Sequence, residues 1–221
     1  MYIPVKQKKT SHFGSNFWEC NSKKIGRDVF FYSELEYDHW ILIESNPRIK
    51  AFCEQPLKIS GYIDNEYRES IFDMWLLWED GKEEFVEVKY SRDIENLEKR
   101  KDRVSKQIRL QQNWCENNNY NYRIVTEKQI RVNPLFSNSR IILPYIHLGK
   151  RATTDLIYFR ILKFLKSTEQ VTIKAISNYF EEVQISELYN YIFSLYLDNK
   201  IMLNIEVAPI NQYTEVFHKN E

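Results

Sequence analysis

The sequence predicts an α/β domain followed by a smaller helical module with a terminal β-ribbon. Between residues 29 and 149, segments with strand periodicity are mixed with helical segments, as is typical of an α/β domain. From residue 150 onwards, short amphipathic helices follow one another with little sequence between them. A chain of 221 residues with 43% hydrophobic residues can build both cores, and this composition excludes wholesale disorder.

The N-terminal part is predicted to be an irregular basic arm followed by a helix. Residues 1–28 are rich in basic and hydroxyl side chains and show no period. Ser33 and Glu36 have the spacing of a capping box, which predicts the start of a helix. Apolar side chains then recur at helical spacing until Asn46 and Pro47 end the helix.

Four segments that follow have the composition of β-strands: residues 49–56, 57–63, 71–78 and 83–90. Asp80 and Gly81 separate the last two segments, and Asp-Gly between two such runs is the strongest short-range signal for a hairpin. Three further segments complete the α/β domain: an amphipathic helix over residues 94–117, a strand over 122–126 and the apolar stretch 141–144.

The C-terminal segment has the pattern of a winged-helix module. Three helices are predicted over residues 155–166, 172–180 and 186–197. The segments 201–205 and 213–217 then predict a two-stranded ribbon. Three helices and a ribbon in about 70 residues are typical of a winged helix, which we therefore expect for residues 150–221.

The charges of the chain are segregated, although its formal net charge is zero. Residues 1–27 carry six bases against one acid, residues 29–80 carry four bases against eleven acids, and residues 97–109 carry six bases against two acids. An acidic centre between basic segments fits a metal-dependent site that acts on a polyanion, because the metal offsets the local repulsion. The alternative interpretation is an ordinary solvated surface.

Several function classes are excluded or disfavoured. Three cysteines without a C-x-x-C pair exclude a zinc ribbon and a disulfide scaffold, and they fit a reducing cytoplasm. The N-terminus has no apolar signal segment and the longest apolar run is short, so we expect neither export nor a membrane span. Scattered histidines disfavour a zinc hydrolase, and no phosphate-binding glycine loop or G-x-S-x-G motif is present.

One group of charged residues predicts chemistry. Glu87 and Lys89 lie two residues apart in a predicted strand, so both side chains leave the same face. The Asp80-Gly81 turn lies about midway between Asp73 and Glu87, and a hairpin would bring these two carboxylates together. Carboxylates bind Mg²⁺ or Mn²⁺, and a lysine near an attacking water can orient or deprotonate it. Glu36 would supply a third carboxylate.

A structural alternative exists for this group, since strands on a protein surface often alternate acidic and basic side chains in cross-strand pairs. The flanking residues Phe85, Val86 and Val88 are apolar, however, and indicate that Glu87 and Lys89 point into a partly buried place. Charged groups in such a place need partners or a metal ion. The sequence alone leaves the two interpretations balanced.

An ordered series of motifs resembles the TnsA family of transposon endonucleases. The series consists of residues 26–36, 43–49 and 54–56, then Asp73, then Glu87-Val88-Lys89. The resemblance covers about residues 5–130 and implies a restriction-endonuclease-like core of the PD-(D/E)xK type, an α/β fold with a mixed sheet flanked by helices. The chain departs from this pattern at Phe72, which stands where a proline would precede the aspartate, and some relatives have Gln at the position of Glu87.

The resemblance implies roles for individual residues. Glu36, Asp73 and Glu87 would be the acidic residues around two Mg²⁺ ions, for which Mn²⁺ can substitute, and Lys89 would be the catalytic lysine. Gln55 would either hold the sheet edge beside the site or serve only as a backbone hydrogen-bonding residue next to Pro56. The candidates for contacts with the site or with DNA are Gln55, Gln107, Lys8, Lys9, Lys23, Lys24, Arg103 and Lys106.

The resemblance also implies partners and a place in the cell. Members of this family cut the non-transferred 5′ strand at transposon ends, in bacterial cytoplasm at the nucleoid, together with a TnsB-like DDE transposase. A TnsC-like AAA+ ATPase regulates the assembly. Because the predicted helix 186–197 has no Lys or Arg, we expect the C-terminal module to contact this regulator, with duplex binding as the alternative. A free-standing restriction or repair nuclease and a non-catalytic DNA or protein adaptor remain as other functions.

Overall fold

The structure is a computed structural model that describes residues 2–5, 17–95, 97, 102–148 and 155–219. The chain divides into two compact units, one formed by residues 1–43 and 49–131 and the other by residues 44–48 and 132–221. The boundary predicted between residues 149 and 150 lies outside the described residues and stays a prediction. Residues 132–148 nevertheless group with the second unit.

The described part of the first unit contains eight strands and four helices. The strands are β1 (Trp18–Ser22), β2 (Arg27–Phe31), β3 (Ile49–Glu54), β4 (Lys58–Ile63), β5 (Glu66–Ile71), β6 (Met74–Trp78), β7 (Glu83–Val88) and β8 (Asn121–Val125). The helices are α1 (Glu34–Ser45), α2 (Ser91–Ile94), α3 (Arg103–Asn117) and α4 (Glu127–Ile130). The last two residues of α1 group with the second unit.

The first unit contains a four-stranded mixed sheet with the strand order β3-β6-β7-β8. The β3–β6 and β6–β7 pairs are antiparallel, and the β7–β8 pair is parallel. Helix α3 packs against β8 and against the β4–β5 hairpin, and its Leu110 joins a buried cluster with Phe72 and Phe85. This mixed α/β arrangement fits the restriction-endonuclease-like fold expected from the sequence.

The β6–β7 hairpin has the turn that Asp80 and Gly81 predict. Gly81 has a φ of 83°, which a residue with a side chain rarely adopts, and its N–H donates to the carbonyl of Trp78 at 3.0 Å. The pairing places Met74 opposite Val86. The turn therefore fixes which residues of the two strands face each other, and the hairpin prediction is confirmed.

The prediction of an irregular arm was wrong for residues 18–28, because β1 and β2 form an antiparallel hairpin. The Trp18 ring stacks on Tyr37 of α1 with centroids 4.2 Å apart, and Phe31 is fully buried. These contacts lie outside the segment itself, so the polar composition of residues 19–28 hides the strand. Strand β5 was missed for a similar reason, since its residues are mostly polar and it forms by pairing with β4.

The helix predicted over residues 94–117 is shorter in the structure. Helix α2 precedes it, and α3 begins at Arg103, where the carboxylate of Asp102 accepts a hydrogen bond from Ser105 N at 2.9 Å. This side-chain cap satisfies one of the N–H groups that a helix start leaves unpaired, which explains the late start of α3. Residues 96 and 98–101 lie outside the described residues.

An ion pair between half-buried Arg27 and buried Glu54 joins β2 to β3. Both terminal nitrogens of Arg27 donate to the two carboxylate oxygens of Glu54, each at 2.6 Å, and Glu54 is fully buried. A paired guanidinium is the usual way to accommodate a buried carboxylate, because an isolated one would lose its hydration. Arg27 therefore serves the fold, and it ties the N-terminal hairpin to the end of β3, one residue before Gln55.

The second unit contains helices α5 (Leu135–Leu148), α6 (Leu156–Lys166), α7 (Ile173–Tyr179) and α8 (Ile185–Leu197) with strands β9 (Gln170–Thr172), β10 (Ile201–Leu203) and β11 (Glu215–His218). The strands form an antiparallel sheet in the order β10-β11-β9. The three helices and the ribbon were predicted, whereas β9 was not. Ile142 of α5 is buried in the core of this unit, so the stretch 141–144 packs with the second unit.

Within the described residues, none of the helices combines the length and the apolar character that a bilayer crossing requires.

The first testable prediction concerns His39 on α1, which is 5% exposed and whose Nδ1 has no hydrogen-bond partner. Burial, together with the nearby charge of Arg123, lowers the pKa of His39 to about 3. The unfolded chain binds a proton near the ordinary pKa of 6.5, so the free energy of unfolding falls as pH drops through the window from about 6.5 to 3.

We expect this group to remove about 3 kcal/mol of stability between pH 7 and pH 4. In a His39→Phe variant this contribution disappears, so urea unfolding of the two proteins should show a shallower pH dependence for the variant. Identical pH slopes for both proteins would contradict the assignment.

Candidate active site

The β6–β7 hairpin brings two of the predicted carboxylates together. Asp73 immediately precedes β6, and Glu87 lies in β7. Their neighbours Met74 and Val86 are paired across the two strands, so Asp73 and Glu87 lie close together. The carboxylate of Asp73 accepts a hydrogen bond from Val88 N at 2.8 Å. The charge of Asp73 also contributes to raising the pKa of Glu87, after burial, so the two carboxylates are electrostatic neighbours. The convergence expected from the position of the turn is therefore present.

Glu87 and Lys89 share a face of the sheet, as their spacing predicts. The Nζ of Lys89 donates to Oε1 of Glu87, and the Glu87 side chain is fully buried while that of Lys89 is 20% exposed. The backbone of Lys89 is held in place because its N–H donates to the carbonyl of Val125 in the neighbouring strand β8. The lysine thus reaches the surface from a fixed position beside the buried Glu87 and the half-buried Asp73.

Glu36 joins this group from the first turn of α1. Its carboxylate accepts hydrogen bonds from Ser33 Oγ at 2.9 Å and from Tyr32 N at 3.2 Å, and Ser33 Oγ accepts from Glu36 N. One half of the predicted capping box, from Glu36 N to Ser33 Oγ, is therefore present, while the Glu36 carboxylate reaches back to the N–H of Tyr32; together these contacts orient Glu36. The charge of Glu36 acts on Lys89, and the charge of Asp73 acts on Glu36, so these residues are electrostatic neighbours.

Gln55 connects the site to the end of β3 in both of the ways considered from the sequence. Its backbone N–H donates to the carbonyl of Asp73 at 3.0 Å, and its side-chain Nε2 donates to Glu36 Oε2 at 3.5 Å. Gln55 has a φ of 39°, in the left-handed region that residues with side chains seldom occupy. This backbone conformation at a buried position beside the acids indicates that the local geometry is held by its surroundings.

Burial raises the pKa values of all three acids, and the charge of Asp73 adds to this effect for Glu36 and Glu87. Desolvation, followed by the charge of Asp73, raises the pKa of Glu36 to about 7 and that of Glu87 to about 8. Desolvation also raises the pKa of Asp73, although Lys89, Val88 N–H and Glu87 act in the opposite direction. The three carboxylates therefore hold protons more readily than ordinary acids do, since their negative charges are crowded in a poorly hydrated place.

Lys89 experiences the opposite effect. Burial alone would lower the pKa of its ammonium group, but the charges of Asp73 and Glu87 outweigh burial and raise this pKa above its ordinary value. In this charge environment Lys89 is a stable cation. The arrangement therefore favours a lysine that orients an oxygen or stabilises negative charge, and it disfavours a lysine that removes a proton.

Helix α3 supplies further hydrogen-bond partners of Glu87. Gln107 Nε2 donates to Glu87 Oε1 at 2.7 Å, so the predicted contact of Gln107 with the site is present. Two further residues were not predicted from the sequence: Gln111 Nε2 donates to Glu87 Oε2 at 2.7 Å, and the hydroxyl of Tyr122 donates to Gln111 Oε1. The available signal was the spacing of the two glutamines, which lie one helical turn apart and therefore share a face.

The predicted basic contacts have different environments. Lys8 and Lys9 lie outside the described residues. Lys23 is exposed between β1 and β2, whereas Lys24 Nζ donates to the carbonyl of Ile49 at 2.7 Å and serves the fold. Lys106 pairs with Glu66 at 2.7 Å, while Arg103 at the start of α3 is exposed. Lys23 and Arg103 thus stay candidates for contact with a polyanion.

The donor set fits a divalent cation, although it is not assembled as a coordination shell. Within the described ranges, no three side chains of His, Cys, Asp or Glu form a group that could hold a metal ion. Glu36, Asp73 and Glu87 nevertheless place three carboxylates around one lysine, and burial, with the charge of Asp73 acting on Glu36 and Glu87, raises their pKa values. Carboxylate oxygens are the ligands that Mg²⁺ prefers, and a cation would relieve this repulsion.

Comparison with known families identifies part of the chain. Residues 46–127 match the family model described as "TnsA-like endonuclease N terminal". The matched segment contains Asp73, Glu87 and Lys89 and less than half of the whole chain, and it supports a TnsA-type nuclease. Glu36 lies before it. No curated protein matched the chain.

The second prediction compares two variants of the apo-protein in the presence of a chelator. Asp73→Asn keeps an oxygen for Val88 N–H but removes the charge that raises the pKa of its acidic neighbours, so we expect the free energy of unfolding at pH 8 to rise by about 1 kcal/mol. Lys89→Met removes the compensating cation, and we expect a loss of about 3 kcal/mol.

The pH dependence gives a second check on the same variants. Raised carboxyl pKa values mean that the folded protein binds more protons than the unfolded chain, so stability falls as pH rises from about 4.5 to 8. This fall should be shallower in Asp73→Asn than in the wild type. Equal destabilisation by both variants in urea unfolding would refute the picture of mutually repelling acids.

Proposed function

We propose that this chain is the endonuclease subunit of a Tn7-type transposition system and hydrolyses a phosphodiester bond at the transposon ends. The observation that carries the proposal is the group Asp73, Glu87 and Lys89 on the β6–β7 hairpin, inside the segment that matches the TnsA-like family. We place its cut on the 5′ non-transferred strand. A DDE transposase of the TnsB kind would cut the other strand, on bacterial DNA at the nucleoid.

Two Mg²⁺ ions, or Mn²⁺ in their place, are part of this proposal. Asp73 and Glu36 would hold them through their carboxylates, and Glu87 would join once an oxygen is released from its present donors. When bound, such ions polarise the phosphate and generate a nucleophilic hydroxide near neutral pH. The crowding of three acids with raised pKa values is the feature of the chain that supports this assignment.

The residues of the chain have separate roles in the proposed reaction. Lys89, held as a cation and partly exposed, would orient the attacking water and stabilise the charge that develops on the phosphate. Ser33 and the N–H of Tyr32 would fix the orientation of Glu36. The side chain of Gln55 would hold Glu36 near the C-terminal end of β3. Each of these contacts restrains an acid before substrate arrives, which reduces the reorganisation that the reaction requires.

The buried charge itself disfavours a purely structural adaptor. Three acids in a poorly hydrated place lower the stability of the fold, since burial opposes the ionisation of all three and the charge of Asp73 also opposes that of Glu36 and Glu87. An adaptor that only holds DNA would gain stability by replacing one of them with an apolar side chain. Retention of the full set therefore supports a catalytic role.

For the second unit we propose a winged-helix domain that binds a AAA+ ATPase of the TnsC kind. The support is its element order, α6-β9-α7-α8-β10-β11, with a three-stranded antiparallel sheet in the order β10-β11-β9. Helix α8 has no Lys or Arg and carries Glu187 in its first turn. Since residues 151–221 hold nine acids and seven bases, protein docking is favoured over duplex binding.

The third prediction tests the catalytic assignment. Asp73→Asn is expected to reduce Mg²⁺-dependent nicking of transposon-end DNA by more than about 100-fold, because it weakens a proposed metal ligand without removing a core group. Strand-specific nicking would be measured with end-labelled duplex in the presence of the transposase and the ATPase. If the element still moves, its products should shift from simple insertions to cointegrates.

Asp80→Asn is the matched control, since Asp80 lies in the turn of the same hairpin and pairs only with exposed Lys82 among the described residues. We expect nicking by this variant to equal that of the wild type. Undiminished nicking by Asp73→Asn would refute the site assignment. Efficient cutting of naked DNA by the chain alone would instead indicate a free-standing nuclease.

The fourth prediction separates the roles of the two units. A fragment of residues 132–221, which includes the buried Ile142 of α5, is expected to fold and to bind the ATPase in a pull-down. A mobility-shift assay with the same fragment and duplex DNA should show no salt-dependent binding of the DNA. Salt-dependent duplex binding without a pull-down would contradict the docking role while leaving the nuclease assignment intact.

A further inference from the structure

The carboxylate of Glu87 is held from two sides. On the side of the active site, Oε1 accepts hydrogen bonds from Lys89 and from Gln107 at 2.7 Å. On the interior side, Oε2 accepts a hydrogen bond from Gln111 at 2.7 Å. Glu87 and Gln111 are both fully buried, so no water competes with this interior contact.

Gln111 is itself held in one orientation. Its Oε1 accepts the hydroxyl proton of Tyr122 at 2.7 Å, and its Nε2 also lies 3.0 Å from Ser70 Oγ. Burial, together with the charges of Glu87 and Asp73, raises the pKa of Tyr122, so the hydroxyl keeps the proton that it donates. Because this proton occupies Gln111 Oε1, the amide nitrogen is the group that faces Glu87.

A glutamine at this position is not explained by packing. Helix α3 buries Ile108 and Leu110 in the same stretch, and an apolar side chain would fill the place of Gln111 without needing three polar partners. Gln112, the next residue, is exposed. The buried amide is therefore retained together with a chain of hydrogen bonds that ends on an acid of the site.

We propose that Gln111 is a positioning residue, which with Tyr122 fixes the carboxylate of Glu87 so that Oε2 points inward and Oε1 faces Lys89 and Gln107. The proposal deepens the proposed function and rests on it for the catalytic consequence. The terminal torsion of a glutamate side chain has a broad preference, so nothing within Glu87 fixes the plane of its carboxylate. The interior hydrogen bond supplies that restraint, and the position of Lys89 depends on it.

The first arm of the test is structural and independent of activity. Crystal structures of the wild type, Gln111→Met and Tyr122→Phe would be compared. We expect the Glu87 carboxylate to rotate away from its wild-type plane in Gln111→Met, and Gln111 to change its hydrogen bonds in Tyr122→Phe. Tyr122→Phe keeps the ring that packs against Phe72 and serves if Gln111→Met fails to fold. An unmoved carboxylate with unchanged Lys89 contacts in the variants would overturn the proposal.

The second arm measures nicking kinetics. We expect Gln111→Met to lower kcat by about 10-fold with KM for end DNA unchanged, because Gln111 acts through Glu87 and is too buried to touch DNA. Gln112→Met on the same helix is the matched control and should match the wild type. In a Glu87→Met background, Gln111→Met should cause no further loss of kcat.

The outcomes distinguish failure of the inference from failure of the proposed function. Independent, additive losses from Gln111→Met and Glu87→Met would mean that Gln111 does not act through Glu87, and this result would overturn the proposal. If the wild type does not nick DNA at all, the proposed function fails, and the crystallographic comparison alone decides whether Gln111 positions Glu87.

Discussion

The carboxylates of Glu36, Asp73 and Glu87 lie close together in a poorly hydrated site beside Lys89, and several elements of the first unit hold them there. The β6–β7 hairpin sets Asp73 against Glu87, and the first turn of α1 adds Glu36. Burial raises the pKa values of these acids, and the charge of Asp73 adds to this for Glu36 and Glu87, whereas the same charges keep Lys89 protonated. Like charges that are brought together at the expense of stability are typical of a site that receives a cation or a charged substrate.

The surrounding fold supplies the restraints that keep this group together. The parallel strand β8 holds the backbone of Lys89, and helix α3 reaches Glu87 through Gln107 and Gln111. On the other side, the ion pair of Arg27 and Glu54 ties the N-terminal hairpin to the end of β3. Strand ends, a helix start and a helix face therefore meet at one point, and each contributes hydrogen bonds to an acid. This convergence explains why the site needs the whole unit and not the hairpin alone.

The sequence predicts the parts of this site that depend on local signals. Asp80-Gly81 fixes the hairpin and so the pairing of Asp73 with Glu87, and the spacing of Ser33 and Glu36 fixes the helix start. The β1–β2 hairpin depends instead on the stacking of Trp18 on a residue of α1, which no local pattern reveals. The hydrogen bonds of Gln111 could not be predicted from the sequence for the same reason, since Gln111 lies on α3 and its partners lie on strands that are distant in the sequence. Basic residues were the least predictable, because their partners decide whether they face solvent: Arg27 and Lys24 serve the fold.

The most direct test of the central claim is the number of protons released when Mn²⁺ binds to the apo-protein. Isothermal titration calorimetry at pH 7.5 in two buffers with different ionisation enthalpies measures this number. If the crowded acids hold the cation, binding should release about one proton, the release should vanish near pH 9.5, and Asp73→Asn should weaken binding. Absence of binding, or binding without proton release that Asp73→Asn leaves unchanged, would contradict the account.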